Sequence, residues 1–207
     1  MGPQTGQSER RGAAERPSAT PLMRIAVLSD NHLPGLIRAM DELGPQPADF
    51  FSQADLILHS GDLTSPMVLD WLERFAPVLA ATGNNDPIED DRSLPVQTLE
   101  YEGWKIGMTH DLVPETRPVA ELRSAFADAP LDVLISGHTH LDLLDARDGV
   151  VLLNSGSPTF PHHKSVRLGT VGLLILEPDL LRAEIILLGE TPGRPNPGKP
   201  NQLTVKR

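Results

Sequence analysis

Apolar residues along this chain fall in short runs, and most of the runs end abruptly in small or polar residues. Met23–Ser29 (MRIAVLS) reads as a buried strand followed at once by Asp30, Asn31 and His32. From Gly35 to Leu43 the spacing turns helical, with Leu36, Ile37, Met40 and Leu43 forming an apolar stripe. Asp55–His59 predicts a second strand ending in Ser60, Gly61 and Asp62. Ser65 and Pro66 then open a helix that carries Val68, Leu69 and Leu72. Val78–Ala81 runs into Thr82-Gly83-Asn84-Asn85-Asp86, and Trp104–Thr109 stops at His110. Ala120 to Ala127 predicts a helix. Asp132–Ser136 leads into Gly137-His138-Thr139-His140, and Val150–Leu153 into Asn154-Ser155-Gly156-Ser157. Gly169–Leu176 and Arg182–Leu188 add two further β segments.

This order, βα units early and consecutive strands late, predicts packed sheets with helices outside rather than one doubly wound sheet. Residues 1–21 are polar throughout, so a flexible extension is expected there and a signal peptide is not. A single domain is expected over 22–189, and the Pro-, Gly- and Asn-rich stretch 190–207 reads as a loose tail. No apolar run approaches the roughly 18 residues needed to cross a bilayer.

Composition narrows the chemistry. Cysteine is absent, which excludes disulfides and thiolate metal sites, and a cytoplasmic location is the default expectation. With 18 basic against 28 acidic residues, the formal charge is -10, which argues against a dedicated nucleic-acid surface. A short nucleotide in a metal-lined pocket stays open, because bound cations reverse the local field.

The strand ends hold the candidate chemistry. Asp30, His32, Asp62, Asn84, His110, His138 and His140 all follow apolar strands, where ligand crevices of α/β sheets lie. Taken singly, an Asp there is more often a turn or cap, and a His more often a hydrogen-bonded structural residue. Taken together they form a mixed nitrogen and oxygen set suited to Mn, Fe, Ni, Co or Zn, too rich in imidazole for a Ca or Mg cage.

The segments Asp30-Asn31-His32, Gly61-Asp62, Gly83-Asn84-Asn85-Asp86, Thr109-His110 and Gly137-His138-Thr139-His140 resemble, in order, the motifs of calcineurin-like metallophosphoesterases. The likeness covers Met23 to Leu188 and is nearest to the small bacterial and archaeal phosphodiesterase branch, which is similar to the retromer subunit VPS29. It implies a four-layer α/β/β/α sandwich and two divalent transition-metal ions, with manganese first in order. Asp30, His32, Asp62 and His140 would hold one ion; Asp62, Asn84, His110 and His138 the other. The implied catalytic residues are Asp62, Asn84 and His110. The implied reaction is phosphodiester hydrolysis by a hydroxide bridging the ions, which would stand about 3.5–4 Å apart.

Other positions qualify this. Asn85 stands where many relatives carry His, and an amide is no general acid at neutral pH, so the leaving-group proton donor is open. Asp111 stands where relatives often carry Gly, and Ser155 replaces the usual Pro of the late turn. His59 reads as support for the turn, Trp71 and Phe75 as core packing, and Pro161-His162-His163-Lys164 as an exposed loop. Lys164 and Arg167 are candidate phosphate contacts. Phosphomonoesterase or nuclease activity would use the same centre. A metal-binding interaction scaffold of the VPS29 type is the alternative of a different class. The expected partner is a small phosphate ester, with no membrane and a homodimer as an option.

Overall fold

The computed structural model describes residues 22–86 and 89–207. The expected extension over 1–21 lies outside them. Twelve strands form two sheets, in order β1 (Met23–Leu28), β2 (Leu56–His59), β3 (Val78–Ala81), β4 (Ser93–Leu94), β5 (Val96–Tyr101), β6 (Trp104–Thr109), β7 (Val133–Ser136), β8 (Asp142–Arg147), β9 (Val150–Ser155), β10 (Thr170–Glu177), β11 (Leu180–Leu187) and β12 (Asn201–Lys206). The first sheet has seven strands in the order β12-β11-β10-β1-β2-β3-β4, and the second five in the order β5-β6-β7-β9-β8. β1 to β4 run parallel, as do β6, β7 and β9. Their shared direction brings the carboxyl ends of the central strands to one edge of the molecule.

Strand periodicity sorts the apolar side chains into layers. Ile25 and Val27 of β1 point between the sheets, against Ile106, Met108, Val133, Ile135, Val151 and Leu153 of the other sheet. Ala26 and Leu28 face outward, onto a layer holding Phe51, Leu69 and Leu72. Across the molecule, Leu134, Val150 and Leu152 pack on Val119, Leu122 and Phe126. Strands covered on both faces need no polar alternation, hence the continuous apolar runs. The helices are α1 (Gln46–Phe51), α2 (Met67–Leu72) and α3 (Val119–Arg123). They cover the outer faces and complete the expected α/β/β/α arrangement. No helix among the described residues is long and apolar enough to cross a membrane.

Three local expectations need correction. The stripe from Gly35 to Leu43 forms only a single 3-10 turn, Met40–Leu43. Gly35 donates instead to the Ile37 carbonyl at 2.8 Å, a local turn incompatible with a helix, and Ala39 at the N-cap has no side-chain acceptor for the first turn. The tail 190–207, expected to be loose, carries β12, which pairs antiparallel with β11 and places Leu203 and Val205 against the inter-sheet core. Leu203-Thr204-Val205 alternates as a strand should, a signal that the Pro and Gly before it obscured. α1, β5 and β8 were not anticipated, because interleaved Asp, Glu, Gln and Arg hide their apolar positions.

Candidate metal centre

Each candidate ligand sits on a sharp turn leaving a strand. Five of them have positive φ: Asp30 at 56°, His32 at 49°, Asp62 at 59°, His138 at 69° and His140 at 56°. For residues with a Cβ this conformation costs about 1–2 kcal/mol each, and such strain collects at functional sites. Small neighbours make the crowding possible. A Cβ on Gly61 would lie 2.6 Å from His110 Nδ1, and one on Gly83 would collide with the Asp62 main chain.

The chain brings all seven side chains together. His32 Nε2 lies 3.0 Å from His140 Nε2 and 3.6 Å from Asp62 Oδ2. His140 Nε2 is 3.6 Å from Asp30 Oδ1, and His110 Nε2 is 3.5 Å from Asp62 Oδ1. Asn84 Oδ1 stands 3.1 Å from His110 Nε2 and 2.9 Å from His138 Nδ1. The ligand atoms of Asp30, His32 and His140 lie within 4.8 Å of one another, and so do those of Asp30, Asp62 and His110. Asp30, Asp62, His110 and His140 are buried, His32 and His138 half-buried, and Asn84 exposed at the mouth.

Outer contacts fix which ring nitrogens face inward. His110 Nδ1 donates to the Ser60 carbonyl at 2.7 Å and His140 Nδ1 to the Phe160 carbonyl at 2.8 Å. In their neutral forms both rings therefore aim an Nε2 lone pair into the centre. Burial pushes His140 down to about 4 and also lowers His32, so these rings are unprotonated at neutral pH. Burial works against charge on His110 too, but Asp62, Asp30 and the Ser60 carbonyl outweigh it and raise it. Burial would raise the Asp62 carboxyl as well. The neighbouring His110 imidazole and hydrogen bonds from both the main chain and side chain of Asn85 overcome that and hold it below the usual range.

These donors fit a cation. Among the described residues the buried Asp30 Oδ1 has no hydrogen-bond partner, and burial pushes its carboxyl up to about 7. Facing it are imidazole lone pairs and a second carboxylate, so acceptors meet acceptors. A positive ion is the group that satisfies them all, and neutral imidazole with carboxylate is the set that transition metals take.

Several supporting residues were weakly marked or unmarked in the sequence. His59 is fully buried, donates from Nε2 to Asn31 Oδ1 at 2.5 Å and accepts from the Gly61 main chain, as its turn-supporting role requires. Burial holds it near 3, hence neutral. Asp86 accepts the main-chain N–H groups of Asp62, Thr64 and Gly83, locking two ligand loops together; its place at the end of Gly83-Asn84-Asn85-Asp86 was the available signal. Glu115, which nothing in the local pattern marks, accepts from Ser136 and Asn154. His163 lies against His140, ring centroids 4.0 Å apart and planes tilted by 31°, and lines the cleft. Lys164 and Arg167 are not among the residues lining it, and Arg167 spends its guanidinium on Ser165 and the Pro195 carbonyl.

Comparison with known proteins identifies the family. A probable metallophosphoesterase of Methanothermobacter thermautotrophicus is 41% identical over 170 residues, covering 81% of this chain and 94% of that protein. A phosphodiesterase of Methanocaldococcus jannaschii is 26% identical over 149 residues, 65% of this chain and 83% of its own length. Among solved structures, Vps29 of Chaetomium thermophilum superposes with a TM-score of 0.70 at 19% identity, covering 89% of this chain and 99% of that one. Vps29 of Entamoeba histolytica complexed with zinc gives 0.67 at 21% identity, with coverage of 89% and 99%. Residues 23–178 match the calcineurin-like phosphoesterase superfamily domain, and the chain belongs to that family.

Proposed function

We propose that this protein is a metal-dependent phosphodiesterase with a two-ion centre, loaded with manganese in the cytoplasm. The observation carrying this reading is the convergence of seven donor side chains, five of them in two tight groups that share Asp30, whose Oδ1 has no hydrogen-bond partner among the described residues. Asp30, His32, Asp62 and His140 would hold one ion, and Asp62, Asn84, His110 and His138 the other, with Asp62 shared. Two divalent ions would supply Lewis acidity, neutralising charge on the phosphoryl oxygens and acidifying the attacking water.

The chain's own residues do the rest. Asn84 is exposed and His138 half-buried, so a phosphate entering the cleft meets these two first. Asn85 is committed to Asp62 through two hydrogen bonds and, being an amide, offers no proton to a leaving alkoxide. Esters whose leaving groups depart without protonation are therefore the better substrates.

A second reading, a metal-binding interaction scaffold, draws on the likeness to Vps29, including one Vps29 complexed with zinc. One experiment separates them: reconstitution with Mn, Zn, Ni or Co, then a panel of diesters, monoesters and nucleotides. Diester turnover with two ions bound is expected. Stoichiometric metal without any turnover favours the scaffold, and faster hydrolysis of monoesters reverses the substrate order.

A further inference from the structure

Beside the candidate metal centre lies a cleft of about 490 Å³, within the range of small-molecule sites. Its lining is of two kinds. Asp62, Asn84, His138 and His140 form one. The other is apolar: Leu33, Leu36 and Ile37 from the loop after β1, and Phe160 and Val166 from the loop after β9. Isolated apolar side chains are ordinary on a protein surface. Leu36 is different, being 87% exposed, more than any other large hydrophobic side chain among the described residues, and it lines the same cleft as the candidate ligands.

The lining also lacks something. Among the described residues no Lys or Arg lines the cleft. Arg38, next to Ile37 in sequence, lines a separate hollow with Met67 and Trp71. Lys164 is exposed outside the cleft, and Arg167 is held by Ser165 and Pro195. Apart from the His163 imidazole, a second phosphate or a carboxylate on the substrate would meet no basic side chain of the described residues away from the proposed metal ligands, and the chain as a whole carries -10.

We infer that the cleft takes a phosphate diester carrying one flat or bulky apolar substituent and no other charge. Leu36, Ile37 and Phe160 hold the substituent that stays on phosphorus. This rests on the phosphoesterase reading and narrows it. The reacting phosphate faces the ligand side, and binding the apolar group removes Leu36 and its neighbours from water, a gain available to an aryl or long alkyl ester and absent for a methyl ester.

The test uses the full metal-loaded chain and two diesters with the same leaving group, phenyl 4-nitrophenyl phosphate and methyl 4-nitrophenyl phosphate. With each rate divided by that for hydroxide in water, kcat/KM is expected to favour the phenyl ester by about tenfold or more, chiefly through KM. Leu36→Ser, at an exposed position that leaves the core intact, should cut that preference severalfold. Calorimetry with diphenyl phosphate and dimethyl phosphate gives a readout independent of turnover, with tighter diphenyl phosphate binding that weakens in Leu36→Ser. Equal handling of both esters by an active protein overturns the apolar subsite and leaves the phosphodiesterase reading standing. Selective binding of diphenyl phosphate without hydrolysis of any ester does the reverse. Preference for a diester bearing an additional phosphate also overturns the subsite.

Discussion

Asn85 holds Asp62 at both carboxylate oxygens, donating from its main-chain N–H to Oδ1 at 2.8 Å and from its side-chain amide to Oδ2 at 2.7 Å. Asn85 thus orients the carboxylate proposed to join the two ions. Such partners fix ligand direction and basicity, and losing one typically lowers metal affinity about 10- to 100-fold. Asn85→Ala keeps the main-chain bond and loses the amide, so a drop of about tenfold in affinity, at the low end of that range, is expected by calorimetry. Asp62→Asn should abolish binding of at least one ion. Unchanged affinity in Asn85→Ala would remove Asn85 from the site's support.

Asp30 makes a second prediction, in which stability and metal binding move in opposite directions. Its Oδ1 is buried and unpartnered among the described residues, and burial raises its carboxyl to about 7. Without metal, Asp30→Asn replaces a group that is costly to bury charged, while Oδ1 of the amide can still accept from the His138 main chain as Asp30 Oδ2 does at 2.9 Å. The chelated variant should therefore melt at or above the chelated parent. Added metal at about 100 times its Kd stabilises the parent by about 2.7 kcal/mol. For a chain of this size that is a rise of about 5–10 °C, and the variant should lose most of it. Calorimetric scans with and without chelator measure both effects. An equal metal-induced rise in the variant would exclude Asp30 from the ligand set.

Much of this site was legible because its motifs are local: a strand, then a turn bearing Asp, Asn or His. The order of elements predicted packed sheets with helices outside, and the family resemblance supplied the four layers; alternate residues of runs such as Ile25-Ala26-Val27-Leu28 feed two different cores. Less local features were hidden. Nothing near Glu115 in sequence marks it as a partner for Ser136 and Asn154, since the contact depends on how the second sheet is assembled. The stripe Leu36, Ile37, Met40, Leu43 has helical spacing, yet only Met40 is fully buried while Leu36 and Ile37 line the cleft, so periodicity mistook a site wall for a helix face. The strand Asn201–Lys206 was masked by the Pro- and Gly-rich segment before it, though its alternation was present.

The motif glycines give a third prediction, about space rather than chemistry. A Cβ on Gly137 would collide with Ser29 Oγ and lie 2.9 Å from Asp30 Oδ2, and one on Gly83 would run into Asp62. At Gly83 the obstacle is the Asp62 main chain, and at Gly137 the Ser29 Cβ would still lie 2.9 Å away if its hydroxyl rotated. Gly137→Ala and Gly83→Ala should each cost about 1–3 kcal/mol, the usual penalty of overpacking, and each should weaken metal binding by displacing a carboxylate. Gly149→Ala is the control. Its Cβ would meet nothing within 4 Å, and only its positive φ of 76° opposes the change. Denaturant midpoints and metal titrations on the three variants separate crowding from backbone strain.

Away from the centre, Arg92 ties the loop before β4 to α2, reaching Asp90 Oδ2 at 2.6 Å and Asp70 and Glu73 at 2.9 Å each. The hydrogen bonds from the Arg92 guanidinium and main chain hold the Asp90 carboxyl down to about 2, from 3.8 for the free group. Because the folded value lies below the unfolded one, the folded chain binds fewer protons between them. The stability Asp90 contributes is therefore complete above about pH 4 and disappears as pH falls through about 2. Asp90→Asn should be less stable than the parent at neutral pH, and the gap should close as urea unfolding is repeated at successively lower pH. Solvent screening keeps the gap small, in the range of other partly exposed ion pairs. A gap that stays constant down to pH 2 would trace the effect to the geometry of the Asp90–Arg92 turn and not to its charge.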